Sequence, residues 1–109
     1  MSVKDIETKE YFESALKAAG DSLVVVDFTA SWCGPCRYIG PIYEAMASEF
    51  TSVVFLRVDV NENLETAHHC RIQSMPTFQF YRNGEKVEEF SGANAALLRY
   101  YLLTLPKKA

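Results

Sequence analysis

Apolar positions in this chain recur with two different periods, and the switches between them lay out the elements. Between Thr8 and Ala19, the residues Tyr11, Phe12, Ala15, Leu16 and Ala19 fall at helical spacing, and Gly20 then stops the segment. Leu23 to Ala30 reads Leu-Val-Val-Val-Asp-Phe-Thr-Ala, a continuous β-branched run of the kind that fills a central strand buried on both faces. Pro35 to Phe50 returns to the helical period, with Ile39, Ile42, Tyr43, Met46 and Phe50 as its stripe. Pro41 falls inside this helix and is expected to kink it. Val53 to Val60 forms a second buried strand, and Glu62 to Cys70 a short helix. Thr77 to Arg82 and Lys86 to Phe90 read as strands joined across Asn83-Gly84, a strong two-residue hairpin signal. Ala95 to Leu105 closes the pattern as a helix with Asn94 as its N-cap, followed by a solvated Lys107-Lys108 tail.

Strands that alternate with helices imply an α/β domain with a parallel sheet, to which the hairpin adds an antiparallel edge. Helices should cover both faces, and ligand chemistry should sit at the carboxyl ends of the strands. Cys33 falls there, just past the strand ending near Ala30. The 109 residues fit one domain, 1–109, large enough to hold a core without metals or disulfides. A net charge of -3 disfavours a nucleic-acid partner, which would want a basic face. No run approaches the roughly 20 apolar residues that span a bilayer. The first residues, Met-Ser-Val-Lys-Asp-Ile-Glu, lack the basic-then-apolar form of a signal peptide, so a cytoplasmic location is expected.

Three cysteines are present, and two form the pair Cys33-Gly34-Pro35-Cys36 at the start of a helix. In a reducing compartment such a pair points to catalysis or metal binding rather than to a structural staple. A helix N-terminus presents unsatisfied N–H groups and partial positive charge, both of which favour a thiolate. Cys33, nearest the helix start, is therefore the expected nucleophile, exposed to a substrate disulfide. Cys36, one turn along on the same face, could resolve the mixed disulfide and leave a Cys33–Cys36 bond. Pro35 suits a first helical turn because it has no N–H to lose. The competing zinc site would need Cys33, Cys36 and donors from His68, His69 and Cys70. Those three are contiguous on a helix and do not converge on one centre, so no metal is expected. Asp27, set in an apolar strand, should have a raised pKa and be able to exchange a proton near neutral pH. Pro76, read from its residues alone, is a strand-starting proline.

The motif Trp32-Cys33-Gly34-Pro35-Cys36, preceded by Val24-Val25-Val26-Asp27-Phe28 and followed by Met75-Pro76-Thr77-Phe78, resembles the thioredoxins. Phe28-Thr29-Ala30-Ser31-Trp32, with Met75 before the proline, is similar to the eukaryotic cytosolic type. The resemblance implies a thioredoxin fold, a central mixed β-sheet of four to five strands flanked by four helices. It implies a protein-disulfide reductase with no bound cofactor, whose working group is the Cys33–Cys36 disulfide. Electrons would come from NADPH through a flavin-containing thioredoxin reductase and pass to disulfide-containing client proteins, with no membrane partner and a monomeric carrier. It further implies that Asp27 assists deprotonation of Cys36, that the Met75-Pro76 bond is cis, and that Met75 offers its backbone to an extended peptide as an added strand would. Trp32, Met75, Pro76, Gly92 and Ala93 would form the substrate surface, and Gly34 and Pro35 would tune the redox pair.

Two departures stand out. Thioredoxins often have lysine where this chain has Arg57, and many have tryptophan where it has Thr29, so Trp32 is the sole indole. Two readings of Arg57 stay open: it tunes Asp27 by lowering its pKa, or it reaches out to a surface acid such as Asp59 or Glu62. Cys70 reads as a small half-buried hydrophobe, with a regulatory thiol as the alternative. The competing functions are a disulfide isomerase or oxidase module and a noncatalytic subunit of a larger assembly.

Overall fold

A computed structural model describes residues 2–107, so the expected Lys107-Lys108 tail lies outside the described side chains. Its elements run β1 (Lys4–Asp5), α1 (Lys9–Ala18), β2 (Val24–Thr29), α2 (Gly34–Glu49), β3 (Val54–Asp59), α3 (Leu64–His69), β4 (Thr77–Arg82), β5 (Glu85–Ser91) and α4 (Ala95–Thr104), closed by a 3₁₀ turn at Leu105–Lys107. Apart from β1 and the closing 3₁₀ turn, each boundary falls within about two residues of the pattern read from sequence, and the N-caps explain where the helices begin. Thr8, Asn63 and Asn94 each accept a hydrogen bond from the backbone N–H three residues on. The 16-residue α2 runs through Pro41 as one element, with the proline on its exposed side.

The sheet has five strands in the order β1-β3-β2-β4-β5. β1, β3 and β2 are parallel, and β4 and β5 are antiparallel to their neighbours. The two-residue β1 was not distinguishable from coil by pattern, because a strand that short has no period. Asn83 and Gly84 both take left-handed backbone angles, φ 54° and 78°, as a two-residue turn matched to strand twist demands. A register shift follows: Phe80 pairs with Glu88 and Tyr81 with Lys86, leaving Val87 as an extra, unpaired residue.

Two apolar clusters sandwich the sheet. Val24, Val26, Phe28, Leu56 and Val58 pack with Phe12 of α1 and Ala67 of α3. Val25, Phe55, Phe78 and Phe80 pack with Ile39, Tyr43 and Met46 of α2 and Leu98 and Leu102 of α4. Strand alternation therefore sends Asp27, which shares a face with Val25, toward α2. Tyr43 anchors α2 on that face through its hydroxyl, which lies 2.6 Å from the Leu56 carbonyl oxygen and 3.1 Å from that of Val25.

Asn63 ties the first cluster together. Its side-chain oxygen caps α3 at Thr66 N–H (3.2 Å), and its amide donates to the carbonyl of Ile6 (3.0 Å), fixing the end of β1. Past α3, Arg71 adopts φ 60° while Arg71 N–H bonds the His68 carbonyl and Ile72 N–H that of Ala67, which turns the chain toward Met75. Because Asn63 is buried, Asn63→Ala should orphan both Thr66 N–H and Ile6 C=O and cost about 2–3 kcal/mol. Urea unfolding of the two proteins measures this; a loss below half a kcal/mol would show that water replaces both bonds.

Candidate active site

The chain reaches the site from β2 through Ala30, Ser31 and Trp32, and α2 begins immediately after Cys33. Cys33 is the N-cap of α2, and its sulfur takes the place usually held by a serine or asparagine oxygen. The N–H of Cys36 points to Cys33 Sγ at 3.2 Å. Cys33 and Cys36 are joined as a disulfide, with Cα atoms 5.2 Å apart. Pro35 lies in the first turn, where no N–H is missed. Arg37 folds back from α2 and donates to the Ser31 carbonyl at 3.2 Å, bracing the loop that carries Trp32.

One expectation is corrected here. Cys33 is buried, 5% exposed against 4% for Cys36, so exposure does not distinguish the two sulfurs. What distinguishes them is the backbone: Cys33 Sγ faces the Cys36 N–H, and it also lies 3.6 Å from the Met75 carbonyl oxygen. In the disulfide that second approach is a contact, because the sulfur has no proton; a Cys33 thiol could donate across it. The residues flanking the pair, Ser31, Trp32, Gly34 and Pro35, are exposed, Trp32 at 64%. The sulfurs thus sit at the floor of a surface rather than on it.

The facing loop is assembled by β4 and β5. Met75-Pro76 is a cis peptide bond, as the family resemblance implies and unlike the plain strand-starting proline that the residues alone suggest. The Pro76 carbonyl accepts from Gly92 N–H at 2.8 Å, which fixes the Gly92-Ala93 segment beside it. Gly92 has φ 102°, a conformation that side chains rarely adopt, so the turn itself needs glycine. Thr77, which the sequence marks only as part of the Met75-Pro76-Thr77-Phe78 motif, has a hydroxyl that joins the Ser74 carbonyl and the Ser91 hydroxyl, both at 2.7 Å. Gly34 is exposed, and a side chain added there would meet open space.

Asp27 is 2% exposed, and its Oδ1 has no hydrogen-bond partner among the described residues. Burial pushes its pKa from 3.8 up to about 7, and the charge of Arg57 partly opposes that rise. Asp27 and Arg57 are register partners on adjacent parallel strands, so they share a face. The Arg57 guanidinium nevertheless turns outward. Its Nε donates to Asp5 Oδ1 at 2.8 Å and its Nη1 to Glu44 Oε2 at 2.7 Å. Both readings of Arg57 are thus partly met: it pairs with surface acids and it acts on Asp27 through space. The acids are Asp5 and Glu44, not Asp59 or Glu62, because register sets Asp5 directly opposite Arg57 on β1.

Cys70 is half-buried against the first apolar cluster, its sulfur 3.7 Å from the Tyr81 hydroxyl, and burial pushes its pKa up. His68 and His69 are exposed at the end of α3. Among the described residues, no three His, Cys, Asp or Glu side chains converge as a metal-binding group.

With this geometry in hand, the comparisons are informative over nearly the whole chain. The family model described as Thioredoxin matches residues 3–102. The chain is 54% identical over 99 residues to a thioredoxin of Ictalurus punctatus, covering 89% of this chain and 92% of the relative. It is 56% identical over 92 residues to one of Mus musculus, covering 84% and 88%. Among solved structures, a thioredoxin of Fasciola hepatica superposes with a TM-score of 0.91 at 42% identity, covering 92% of this chain and 96% of that one.

The Asp27 shift has a consequence for stability. Its folded pKa lies above its ordinary value, so its contribution is fully present below pH 4 and is lost as pH rises through about 7. Above pH 7 the fold carries a buried, unpaired charge, a cost of order 4 kcal/mol at about 1.4 kcal/mol per unit. Asp27→Asn should therefore raise the urea midpoint at pH 8.5, with the gain shrinking toward pH 4. An equal gain at both pH values would assign the effect to packing instead of charge.

Proposed function

The chain belongs to the thioredoxin family, as a thiol–disulfide oxidoreductase with a redox-active cysteine pair, and on that premise we propose a division of labour among its residues. Cys33 is the attacking thiolate. It displaces one sulfur of a client disulfide as a thiolate and becomes joined to the other in a mixed disulfide. Cys36, deprotonated, then attacks Cys33 Sγ, the client's second sulfur leaves as thiolate, and the Cys33–Cys36 bond closes. Two electrons pass from the carrier to the client, and two protons complete the client thiols.

The observation that carries this assignment is the Cys36 N–H directed at Cys33 Sγ, 3.2 Å away at the start of a 16-residue helix. A hydrogen bond to an ionised acceptor is stronger than one to a neutral acceptor, so this contact favours the thiolate at Cys33 and not at Cys36. Asp27, with a pKa near 7, is the proton acceptor for Cys36. Trp32, Met75, Pro76, Gly92 and Ala93 form the client surface, where the Met75 carbonyl beside Cys33 can receive a peptide N–H in an extended pairing. Gly34 leaves that surface open in front of the sulfurs.

Reducing equivalents return from NADPH through thioredoxin reductase, the partner with which this family generally works. A cytosolic setting suits a chain whose third cysteine, Cys70, is a free thiol. No helix among the described residues is long and apolar enough to cross a membrane.

Insulin reduction by the wild type, abolished in Cys33→Ser, checks turnover. In Cys36→Ser, trapping of a stable mixed disulfide checks the order of attack. Trp32 emission should rise on reduction of the adjacent disulfide, and titration in dithiol buffers should give a potential in the region of about -270 mV, ordinary for thioredoxins. A value near about -180 mV, the disulfide isomerase range, would replace the reductase reading with an oxidase or isomerase one.

A further inference from the structure

One row crosses the sheet on the face that looks toward α2. Asp5 on β1 stands opposite Arg57 on β3, which stands opposite Asp27 on β2. Two carboxylates flank one guanidinium, and a third, Glu44, reaches down from α2. Arg57 spends its directed hydrogen bonds on the outer pair, Asp5 at 2.8 Å and Glu44 at 2.7 Å. The buried Asp27 receives none, and its Oδ1 is left unpartnered.

This arrangement runs against what an isolated arginine would do. A guanidinium beside a buried, unpaired carboxylate is drawn toward it by an attraction that grows as solvent is excluded, opposed by the cost of desolvating the guanidinium. Exposed pairs such as Arg57–Asp5 and Arg57–Glu44 contribute little to folding on their own. Their geometry nonetheless holds the fork of Arg57 in the sheet-edge direction, away from β2. The other groups facing Asp27 do not supply an alternative cation. α2 brings the Tyr43 hydroxyl and, on Arg57, Glu44; β4 sets Phe78 opposite Asp27 in register. β3 sets Arg57 itself opposite Asp27 and carries Asp59 two residues on, opposite Thr29, where its Oδ1 accepts from the N–H groups of Asn61 and Glu62.

We propose that Asp5 and Glu44 are positioning residues for the exchange reaction: by clamping Arg57 between them, they keep it from pairing with Asp27 and leave that carboxyl free to take and return a proton. The proposal rests on the assignment of Asp27 as proton acceptor for Cys36. It explains why a permanently charged arginine can sit in register with a working carboxyl without fixing it as an anion. It also gives β1, two residues long, a task beyond closing the sheet edge. Asn63, by holding the Ile6 carbonyl, secures the strand that presents Asp5.

The test follows the carboxyl carbon of Asp27 by NMR against pH at low ionic strength, in the oxidised full-length protein and in Glu44→Gln and Asp5→Asn. Loss of either carboxylate leaves Arg57 less neutralised and freer to turn inward, so the midpoint should fall by about 0.5–1 unit, a three- to tenfold loss of proton affinity. Glu44→Asp, which keeps the charge, should restore most of it. Because Glu44 also repels Asp27 directly, the same substitution is made in an Arg57→Met background, where the shift should be clearly smaller. An unchanged or raised midpoint in both single variants, or an equal shift without Arg57, overturns the clamp. Whether Asp27 serves Cys36 is read separately, from the pH profile of insulin reduction by Asp27→Asn. That profile can fail to change while the clamp itself stands.

Discussion

The first turn of α2 is capped by a sulfur, and the rest of the site is arranged around that substitution. An N-cap oxygen would satisfy the Cys36 N–H and do nothing else. Cys33 Sγ satisfies it and, in the proposed order of attack, is also the atom that carries negative charge during exchange. The same hydrogen bond thus serves the fold in the oxidised state and the chemistry in the reduced one. Everything that fixes the direction of α2 fixes this bond. Tyr43 pins the helix to the carbonyls of Val25 and Leu56, and Ile39 and Met46 seat it in the second apolar cluster.

Rigid support matters because the opposite wall of the site belongs to distant parts of the chain. Met75 lies 42 residues beyond Cys33, and its carbonyl reaches the sulfur only because β4 pairs directly with β2. Thr77 then ties the approach loop to β5 through Ser91, and Pro76 ties it to Gly92. The proposed client surface is therefore built from three segments held by a handful of hydrogen bonds, while the sheet beneath supplies the distances. Both sulfurs are buried among these segments, so access to them is governed by the exposed Trp32, Gly34 and Pro35 around them.

In the central strand the fold carries a cost. Asp27 is a carboxyl in an apolar layer; burial raises its proton affinity, and no donor among the described residues meets its Oδ1 to offset that. A chain selected for stability alone would pair it or replace it. Arg57 is close enough in register to act on Asp27 through space, yet Asp5 and Glu44 take its hydrogen bonds. The balance between desolvation and a distant, partly neutralised cation leaves the carboxyl titrating near neutrality, where proton exchange with a thiol is useful.

The residues alone determined much of this. Period and capping residues located the helices and the long strands, Asn83-Gly84 located the hairpin, and a cysteine pair at a helix start named the chemistry. The anomaly of Asp27 was visible as one polar letter in a β-branched run. Tertiary structure decided what depends on partners far along the chain. Burial of Cys33 could not be read, since the segments that cover it come from elsewhere. The strand character of Lys4-Asp5 arises only from pairing with Leu56-Arg57. The partners of Arg57 follow from sheet order, because placing β1 beside β3 sets Asp5 opposite it, whereas Asp59 and Glu62 are nearer only in sequence. Local forces act on neighbours along the chain and leave a pattern there; charge pairing and burial act on neighbours in space, which the fold alone assigns.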